Sequence, residues 1–222
     1  MKALILIGSP KGRNSASNLL AARLAGGLRA QGVSVRDELV HAGLRSEDGA
    51  RLLLEAVDAS DLVVLAFPLY VDSLPAPLTQ LLERIAERRI GVAPAAAPRL
   101  AVIVQCGFPE ARQCDTAVGI CRLFAERTGM RWAGALAMGM GGQLGGGFRR
   151  LPGGGKHLLD ALDTASKSLS GGGSIPGEAS ELFAKPLIPR WMYLLFGNLG
   201  WRMQMRKHGT RRPLTYRPYS QG

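Results

Sequence analysis

The sequence has 222 residues, of which 46% are hydrophobic, and it carries 28 Lys/Arg against 17 Asp/Glu. A chain of this length and hydrophobic content can bury a core of its own, which excludes an intrinsically disordered protein. The net charge of +11 lies mainly in residues 141–222. No apolar run approaches the ~18 residues that a membrane-spanning helix needs, so we expect no such helix.

The chain opens with an apolar run, Leu4 to Ile7, which predicts a strand buried on both faces. Residues 8–17 then form a turn of small, hydroxyl-bearing and basic residues, and leucines recur at helical spacing after Ser17. A helix N-terminus that follows a strand and a polar turn is an anion site. The turn lacks both G-x-x-x-x-G-K-[ST] and G-x-G-x-x-G, so its hydroxyl and amide groups suit a terminal phosphate monoester. A plain capped turn is the alternative, because Ser and Asn are favoured N-caps.

The rest of the first 170 residues alternates between predicted strands and predicted helices. Strands are predicted at 33–36, 61–67, 100–105 and 132–138, and helices at 15–31, 47–59, 78–85, 112–128 and 156–168. Pro94 to Pro98 predicts a loop. This alternation is typical of an α/β protein with a doubly wound, five-stranded parallel sheet. Ligands of such sheets bind beyond the carboxyl ends of the strands, where the turns 8–17, 68–77 and 106–110 meet.

Three motifs together resemble those of the NAD(P)H-dependent FMN reductases of the flavodoxin-like superfamily. They are Gly8-Ser-Pro-Lys-x-x-x-Ser-x-Ser17, Pro68-Leu-Tyr-Val-Asp-Ser-Leu-Pro75 and Cys106-Gly-Phe-Pro-Glu110. The resemblance keeps their order and spacing over about residues 1–140. It implies a flavodoxin-like sheet of strand order 2-1-3-4-5, with FMN as cofactor and NADH or NADPH as co-substrate.

The resemblance also implies which residues bind the cofactor. In that family the first turn holds the ribityl phosphate, which assigns this role to Ser9, Lys11, Asn14, Ser15 and Ser17. The second and third turns flank the isoalloxazine ring, which assigns one side to Pro68, Leu69, Tyr70 and Val71 and the other to Gly107 and Phe108. Aromatic faces and a close backbone approach at a glycine suit a flat ring, although ordinary packing at the strand ends is the alternative for the two aromatic residues. No catalytic side chain is expected, because the flavin carries the chemistry.

Cysteine and histidine usage predicts no metal site. Cys106, Cys114 and Cys121 form no C-x-x-C pair, and the three histidines are scattered. An odd number of cysteines without a signal-peptide pattern predicts free thiols in the cytoplasm. Cys106 is expected to serve as a small buried hydrophobic residue.

The glycine-rich stretch 139–155 follows the fifth predicted strand and is expected to lie near the flavin edge. It either shapes or covers the site, with Arg149 and Arg150 available to a phosphate, or it is a linker. The composition divides the chain into a flavin-binding domain, residues 1–178, and a basic, aromatic helical extension, residues 179–222.

The extension combines an apolar segment, 187–201, with a basic one from Arg202 to Arg217 that contains no acidic residue. Pro189, Gly197 and Gly200 are expected to interrupt the apolar segment. Packing on the domain or a subunit interface fits the segment, because interfaces are rich in Trp, Tyr and Met. The resemblance favours such a structural role or a homodimer interface, since relatives with the same Cys-Gly-Phe-Pro turn have a similar tail. Contact with an anionic membrane surface through residues 187–217 is the alternative. Nucleic-acid binding is not expected, because no recognition motif accompanies the charge.

The sequence therefore predicts an FMN-dependent oxidoreductase. It would pass a hydride from NAD(P)H through flavin N5 to a small acceptor, such as a quinone, a nitro or azo compound, or a free flavin. The alternative is a non-catalytic FMN-binding electron carrier or redox-sensing module. The basic charge counts against that alternative, since small carriers that the chain resembles are typically acidic.

Overall fold

The computed structural model describes residues 1–89, 97–209 and 216. Of the predicted loop Pro94 to Pro98, residues 94–96 therefore lie outside the described residues. The chain divides into two compact units, residues 1–187 and 188–222. A boundary at residue 178 would cut the helix Gly177–Phe183, which belongs entirely to the first unit.

The first unit is built on one parallel sheet. Its strands are β1 Lys2–Ile7, β2 Ser34–Leu39, β3 Leu62–Pro68, β4 Arg99–Gln105 and β5 Arg131–Met138. They pair in the order β2-β1-β3-β4-β5, all parallel, which confirms the predicted strand order. Every residue of β3 and β4 is buried, as expected for central strands that helices cover on both faces.

The helices of this unit cover the two faces of the sheet, and the last of them covers its β5 edge. They are α1 Ala16–Ala30, α2 Val40–Gly43, α3 Glu47–Asp58, α4 Ala76–Arg89, α5 Asp115–Arg127, α6 Lys156–Ser170 and α7 Gly177–Phe183. Helices α1 and α6 contact each other, while α4 contacts both α3 and α5. Apolar residues of α3, α4 and α5 share one buried cluster with the sheet. The predicted doubly wound architecture is therefore confirmed.

Three local features differ from the sequence-based expectation. The short helix α2 was not predicted. Helix α5 begins later than predicted, because residues 111–114 form a separate 3₁₀ turn. The glycine-rich stretch contains three 3₁₀ turns, Gly141–Gly146, Phe148–Arg150 and Pro152–Gly155. The last of these cannot continue as one helix, because Gly153 and Gly154 have positive φ angles of 58° and 64°.

The chain beyond α6 returns to the edge strand β5. The Ile175 N–H donates to the Ala133 carbonyl at 2.8 Å, and Ser180 Oγ donates to the Ala135 carbonyl at 2.9 Å. Phe183 of α7 is completely buried. Helix α7 thus covers a sheet edge that would otherwise leave its main-chain groups unpaired.

A buried arginine fixes the end of α6 to the amino-terminal side of the sheet. Arg99 donates to the carbonyls of Gly173 at 2.7 Å and Leu169 at 2.9 Å. These carbonyls belong to the carboxyl end of α6 and the turn after it, where a cation interacts favourably with the helix dipole. Burial and the nearby Arg131 lower the pKa of the Arg99 guanidinium.

The second unit contains helix α8, Arg190–Lys207. The helix runs continuously through Gly197 and Gly200, the two glycines that interrupt the apolar segment, and the predicted helical extension is present. A glycine within a helix lowers its stability by about 1 kcal/mol relative to alanine. The two glycines of α8 show that a penalty of this size does not by itself end a helix. Over residues 1–89 and 97–209, no helix is both long and apolar enough to cross a membrane.

Candidate functional site

A cavity of about 260 Å³ opens at the carboxyl ends of the strands. Four turns contribute to its wall: the one after β1, the one after β3, the end of β4 and the glycine-rich stretch after β5. The lining residues are Ser9, Lys11, Asn14, Ser15, Ala16, Pro68, Leu69, Tyr70, Gln105, Cys106, Gly107, Gly141, Gly142 and Gly145. The convergence of turns that was expected from the sequence is therefore present, and a fourth turn joins it.

The first turn is held by its own hydrogen bonds. The Gly12 N–H donates to the Ser9 carbonyl at 3.0 Å, and Ser15 Oγ donates to the Gly12 carbonyl at 2.7 Å. Ser15 Oγ also accepts from the Asn18 N–H at 3.1 Å, which makes Ser15 the N-cap of α1. The Ser15 hydroxyl is thus already used in shaping the turn.

The N-terminal end of helix α1 borders the cavity. Ala16, the first helical residue, lines the cavity wall. Helices have no internal acceptors for their first N–H groups, and Ser15 satisfies only that of Asn18. The N–H groups of Ala16 and Ser17 are therefore donors at the positive end of the helix dipole, which is the arrangement that binds phosphate.

The two basic residues of the first turn have different surroundings. Arg13 forms an ion pair with Asp37 of β2, and Arg29 reaches the same carboxylate at 3.4 Å. Lys11 lines the cavity, and within the described part of the chain it has no carboxylate partner at ion-pair distance. Lys11 is consequently the cation that this turn offers to an anion in the cavity.

The second turn has an unusual backbone. Tyr70 and Ser73 exchange two main-chain hydrogen bonds of 3.0 Å, and the residues between them, Val71 and Asp72, have φ angles of 48° and 58°. Two consecutive positive φ angles define a type I′ turn, which normally carries Asn-Gly. A β-branched residue in this conformation is strained by an order of 1–2 kcal/mol. Across residues 1–89 and 97–209, the only other non-glycine residue with a positive φ is Met140, beside Gly141 of the cavity wall.

Main-chain hydrogen bonds continue beyond the strand ends and connect the turns. The Leu69 N–H donates to the Gln105 carbonyl at 2.8 Å, and the Cys106 N–H donates to the Met138 carbonyl at 3.0 Å. The Gly141 N–H then donates to the Cys106 carbonyl at 2.8 Å. These bonds hold three walls of the cavity in fixed positions relative to one another.

Glycines in the third and fourth turns play two different roles. At Gly141 an added Cβ would collide with Oε1 of Gln105. Because glycine has no Cβ, the side-chain amide of the buried Gln105 can pack against the backbone of Gly141. At Gly107 an added Cβ would meet no atom of the chain within 4 Å. The space next to Gly107 is thus open to a flat ligand.

Most of the predicted ligand residues line the cavity, and three do not. Ser9, Lys11, Asn14, Ser15, Pro68, Leu69, Tyr70 and Gly107 are brought together in its wall. Ser17 is buried beneath the turn, and its hydroxyl has no hydrogen-bond partner among the described residues. Val71 is 97% exposed and Phe108 is 54% exposed, and both lie outside the cavity wall.

Several lining residues were not predicted as ligands. Ala16 begins helix α1 and Gln105 ends strand β4. Their positions at the predicted ends of these elements are the one feature of the sequence that could have indicated them as ligand residues. Gly141, Gly142 and Gly145 belong to the stretch that was expected near the flavin edge. Arg149 and Arg150 of the same stretch are exposed and do not line this cavity. Among residues 1–89, 97–209 and 216, no group of His, Cys, Asp or Glu could hold a metal ion.

The family comparison agrees with the fold and the position of the cavity. Residues 1–139 match the model of a family described as having a flavodoxin-like fold. The chain therefore belongs to the flavodoxin-like family. No curated protein matches the sequence significantly.

Solved structures of similar architecture include reductases. An NAD(P)H:quinone oxidoreductase from Methanothermobacter marburgensis is 15% identical, with a TM-score of 0.57 over 76% of this chain and 96% of its own. An FMN-dependent NADH-azoreductase from Bacillus anthracis, in complex with FMN, is 11% identical, with a TM-score of 0.56 over 77% of this chain and 100% of its own. An NADPH-quinone reductase from P. pentosaceus is 19% identical, with a TM-score of 0.53 over 75% of this chain and 98% of its own. At these identities the likeness establishes the fold.

The strained turn at the cavity gives a direct test of its backbone geometry. Replacing Val71→Asn should raise the free energy of unfolding by about 1 kcal/mol, because Asn tolerates the left-handed conformation and the exposed valine makes little packing contact. Val71→Ile is the matched control, because isoleucine is also β-branched and should leave stability unchanged. Urea unfolding measures the free energy of unfolding of the two variants. Equal values would contradict backbone strain at Val71.

Proposed function

We propose that this protein is an FMN-dependent oxidoreductase that passes a hydride from NAD(P)H to a small acceptor. The observation that carries the proposal is a single cavity with two chemically different ends. One end has Lys11 and the N–H groups at the start of α1, and the other has the apolar residues Pro68, Leu69 and Tyr70 together with Gly107. A phosphate monoester attached to a flat ring matches both ends.

The residues at the phosphate end fit a dianion well. Lys11 supplies a full positive charge, and the helix N-terminus supplies partial charges and directed donors. Ser9 contributes to the same wall. Ser15 holds the turn in shape through its own two hydrogen bonds. The Arg13–Asp37 pair ties the turn to β2, which keeps the donors in place before a ligand arrives.

The residues at the ring end fit an isoalloxazine system. Pro68 and Leu69 offer an apolar surface, and Tyr70 adds an aromatic one. The open space beside Gly107 leaves room for a ring without contact to a side chain at that position. When bound, FMN would supply hydride chemistry at its N5 atom, and the chain's own groups bind it, orient it and limit the access of water.

The similar structures support an enzyme over an electron carrier. Two of them are NAD(P)H quinone reductases and one is an FMN-dependent NADH-azoreductase. A quinone, a nitro or azo compound, or a free flavin is accordingly the acceptor class that we propose. The non-catalytic electron carrier or redox sensor is the alternative, and turnover distinguishes the two.

Steady-state oxidation of NADH and NADPH by the FMN-loaded protein tests the activity. We expect nicotinamide oxidation that depends on an added benzoquinone. The oxidation is monitored as a loss of absorbance at ~340 nm. The control is the same amount of free FMN without protein. Bound flavin that stays oxidised under anaerobic NADH and NADPH would contradict the enzyme and favour the carrier.

The ring end of the cavity is tested by a substitution at Gly107. Replacing Gly107→Val should weaken FMN binding at least about tenfold, because the new side chain would occupy the open space, in which its Cβ meets no atom of the chain within 4 Å. Gly107 is not among the glycines with a positive φ angle, so the substitution places no side chain in the left-handed conformation. Gly119→Val is the matched control, since Gly119 on the exposed face of α5 also has no neighbour near an added Cβ. Equal FMN dissociation constants for the two variants, measured by flavin fluorescence, would exclude this ring position.

We further propose that the protein is a homodimer that uses its C-terminal segment as an interface. The support is the composition of α8, whose exposed large apolar side chains are Trp191, Leu194, Leu195, Phe196, Leu199, Trp201 and Met203. Aromatic residues and methionine are enriched in such interfaces. Sedimentation equilibrium of the full chain should give a dimer that persists in high salt. A monomer that binds anionic liposomes in a salt-sensitive manner would contradict the dimer and favour the membrane-surface alternative for residues 187–217.

A further inference from the structure

Most buried polar side chains in the described part of the chain donate a hydrogen bond to a main-chain carbonyl. Thr128 Oγ1 donates to the Phe124 carbonyl at 2.8 Å, and Ser166 Oγ donates to the Asp163 carbonyl at 2.9 Å. Such pairing is expected, because a buried polar group without a partner lowers stability. A buried polar side chain that lacks a partner therefore requires an explanation.

Gln105 is an exception to this pattern, and it lies at the cavity. The residue is only 9% exposed, and it lines the cavity wall. Its main-chain carbonyl accepts from the Leu69 N–H at 2.8 Å. Its side-chain amide makes no hydrogen bond to any of the residues 1–89, 97–209 and 216. A primary amide has two N–H donors and one carbonyl acceptor, so all of these groups are left for a ligand.

The amide of Gln105 lies at the ring end of the cavity. In the sheet, Gln105 is adjacent to Pro68 on one side and to Met138 on the other. Its side chain lies along the backbone of Gly141, where an added Cβ would collide with Oε1. Pro68, Gly107 and Gly141 all line the cavity. The unpaired amide is therefore surrounded by the residues that we assign to the ring.

We propose that Gln105 recognises the polar edge of the bound ring through its side-chain amide. This inference rests on the proposed FMN function and adds to it a residue that selects and orients the ring. One edge of isoalloxazine carries an imide, in which an N–H donor lies between two carbonyl acceptors, whereas the opposite edge carries two methyl groups. A primary amide offers both a donor and an acceptor, so it pairs with the imide edge and finds no partner at the methyl edge.

The burial of the amide makes this recognition selective. A ring with an imide edge satisfies the amide, whereas an apolar ring of the same shape would leave the amide unpaired and out of contact with water. In the flavin-free protein, only water in the cavity can pair with it. Gln105 thus favours binding of the flavin over stability of the empty protein, which is typical of residues that serve a binding site.

Gln105→Met tests the proposal, because methionine has nearly the length and volume of glutamine but no amide. The full-length, flavin-free variant is titrated with FMN, and binding is followed by flavin fluorescence. The dissociation constant should be at least about tenfold higher than that of the wild-type protein. Gln143→Met is the matched control, since Gln143 lies in the turn Gly141–Gly146 but is exposed and does not line the cavity. It should leave the dissociation constant unchanged.

Urea unfolding of the flavin-free proteins separates a binding role of Gln105 from a structural one. If the side chain held the fold together, Gln105→Met would lower the unfolding midpoint. The binding role predicts a midpoint no lower than that of the wild-type protein, because the variant removes a buried amide that has no protein partner among the described residues.

A change in the ligand tests the edge assignment on the wild-type protein. In 3-methyl-FMN the imide N–H is replaced, while the phosphate and the rest of the ring are kept. The wild-type protein should bind this analogue at least about tenfold more weakly than FMN. Gln105→Met should bind the two ligands with affinities that agree within about twofold, because the partner of the imide is gone.

Four results would overturn the proposal. Equal FMN dissociation constants for the wild-type protein and Gln105→Met would do so while leaving the proposed function intact. A lower urea midpoint of the flavin-free variant would assign Gln105 a structural role. Equal affinity of the wild-type protein for FMN and 3-methyl-FMN would exclude the imide edge, and this result does not depend on any variant folding. A wild-type protein that binds no FMN would overturn the proposed function together with this inference.

Discussion

The structure depends on the parallel register of its central strands, which brings every strand's carboxyl end to the same edge of the sheet. β1, β3 and β4 are adjacent in the order β2-β1-β3-β4-β5, so the turns that follow them must be neighbours. Main-chain hydrogen bonds then continue past the strands, from Leu69 to Gln105 and from Cys106 to Met138. Because of these bonds, the cavity is a continuation of the sheet and shares its rigidity.

Charge is distributed along this edge in a way that prepares one end of the cavity for an anion. Asp37 engages both Arg13 and Arg29, and it holds the first turn against β2. Lys11 remains directed to the cavity wall, next to the first turn of α1. The result is a site in which one structural ion pair, Arg13–Asp37, and a ligand-directed cation, Lys11, come from the same ten-residue turn.

The sequence predicts the parts of the site that are contiguous in the chain and carry side-chain chemistry. Ser9, Lys11 and Tyr70 lie in turns whose residue types already indicate binding, and the structure brings them together. Ser15 shows the limit of that approach. Residue type cannot distinguish a hydroxyl that reaches a ligand from one that caps a helix, and here the hydroxyl caps α1.

Other parts could not be predicted because they depend on tertiary geometry. Glycine has no side chain to indicate binding, so Gly141 enters the site only through the path of the chain after β5. A valine gives no indication of a positive φ, yet Val71 has one because the turn after β3 requires it.

The central claim is that one cavity binds a phosphate monoester and a flat redox ring together. Titration of the flavin-free protein with FMN and with riboflavin, followed by flavin fluorescence, tests it most directly, because the two ligands differ only in the phosphate. The account predicts that FMN binds at least about tenfold more tightly than riboflavin, a difference of about 1.4 kcal/mol supplied by Lys11 and the N-terminus of α1. Equal affinities for FMN and riboflavin, or no binding of either, would contradict it.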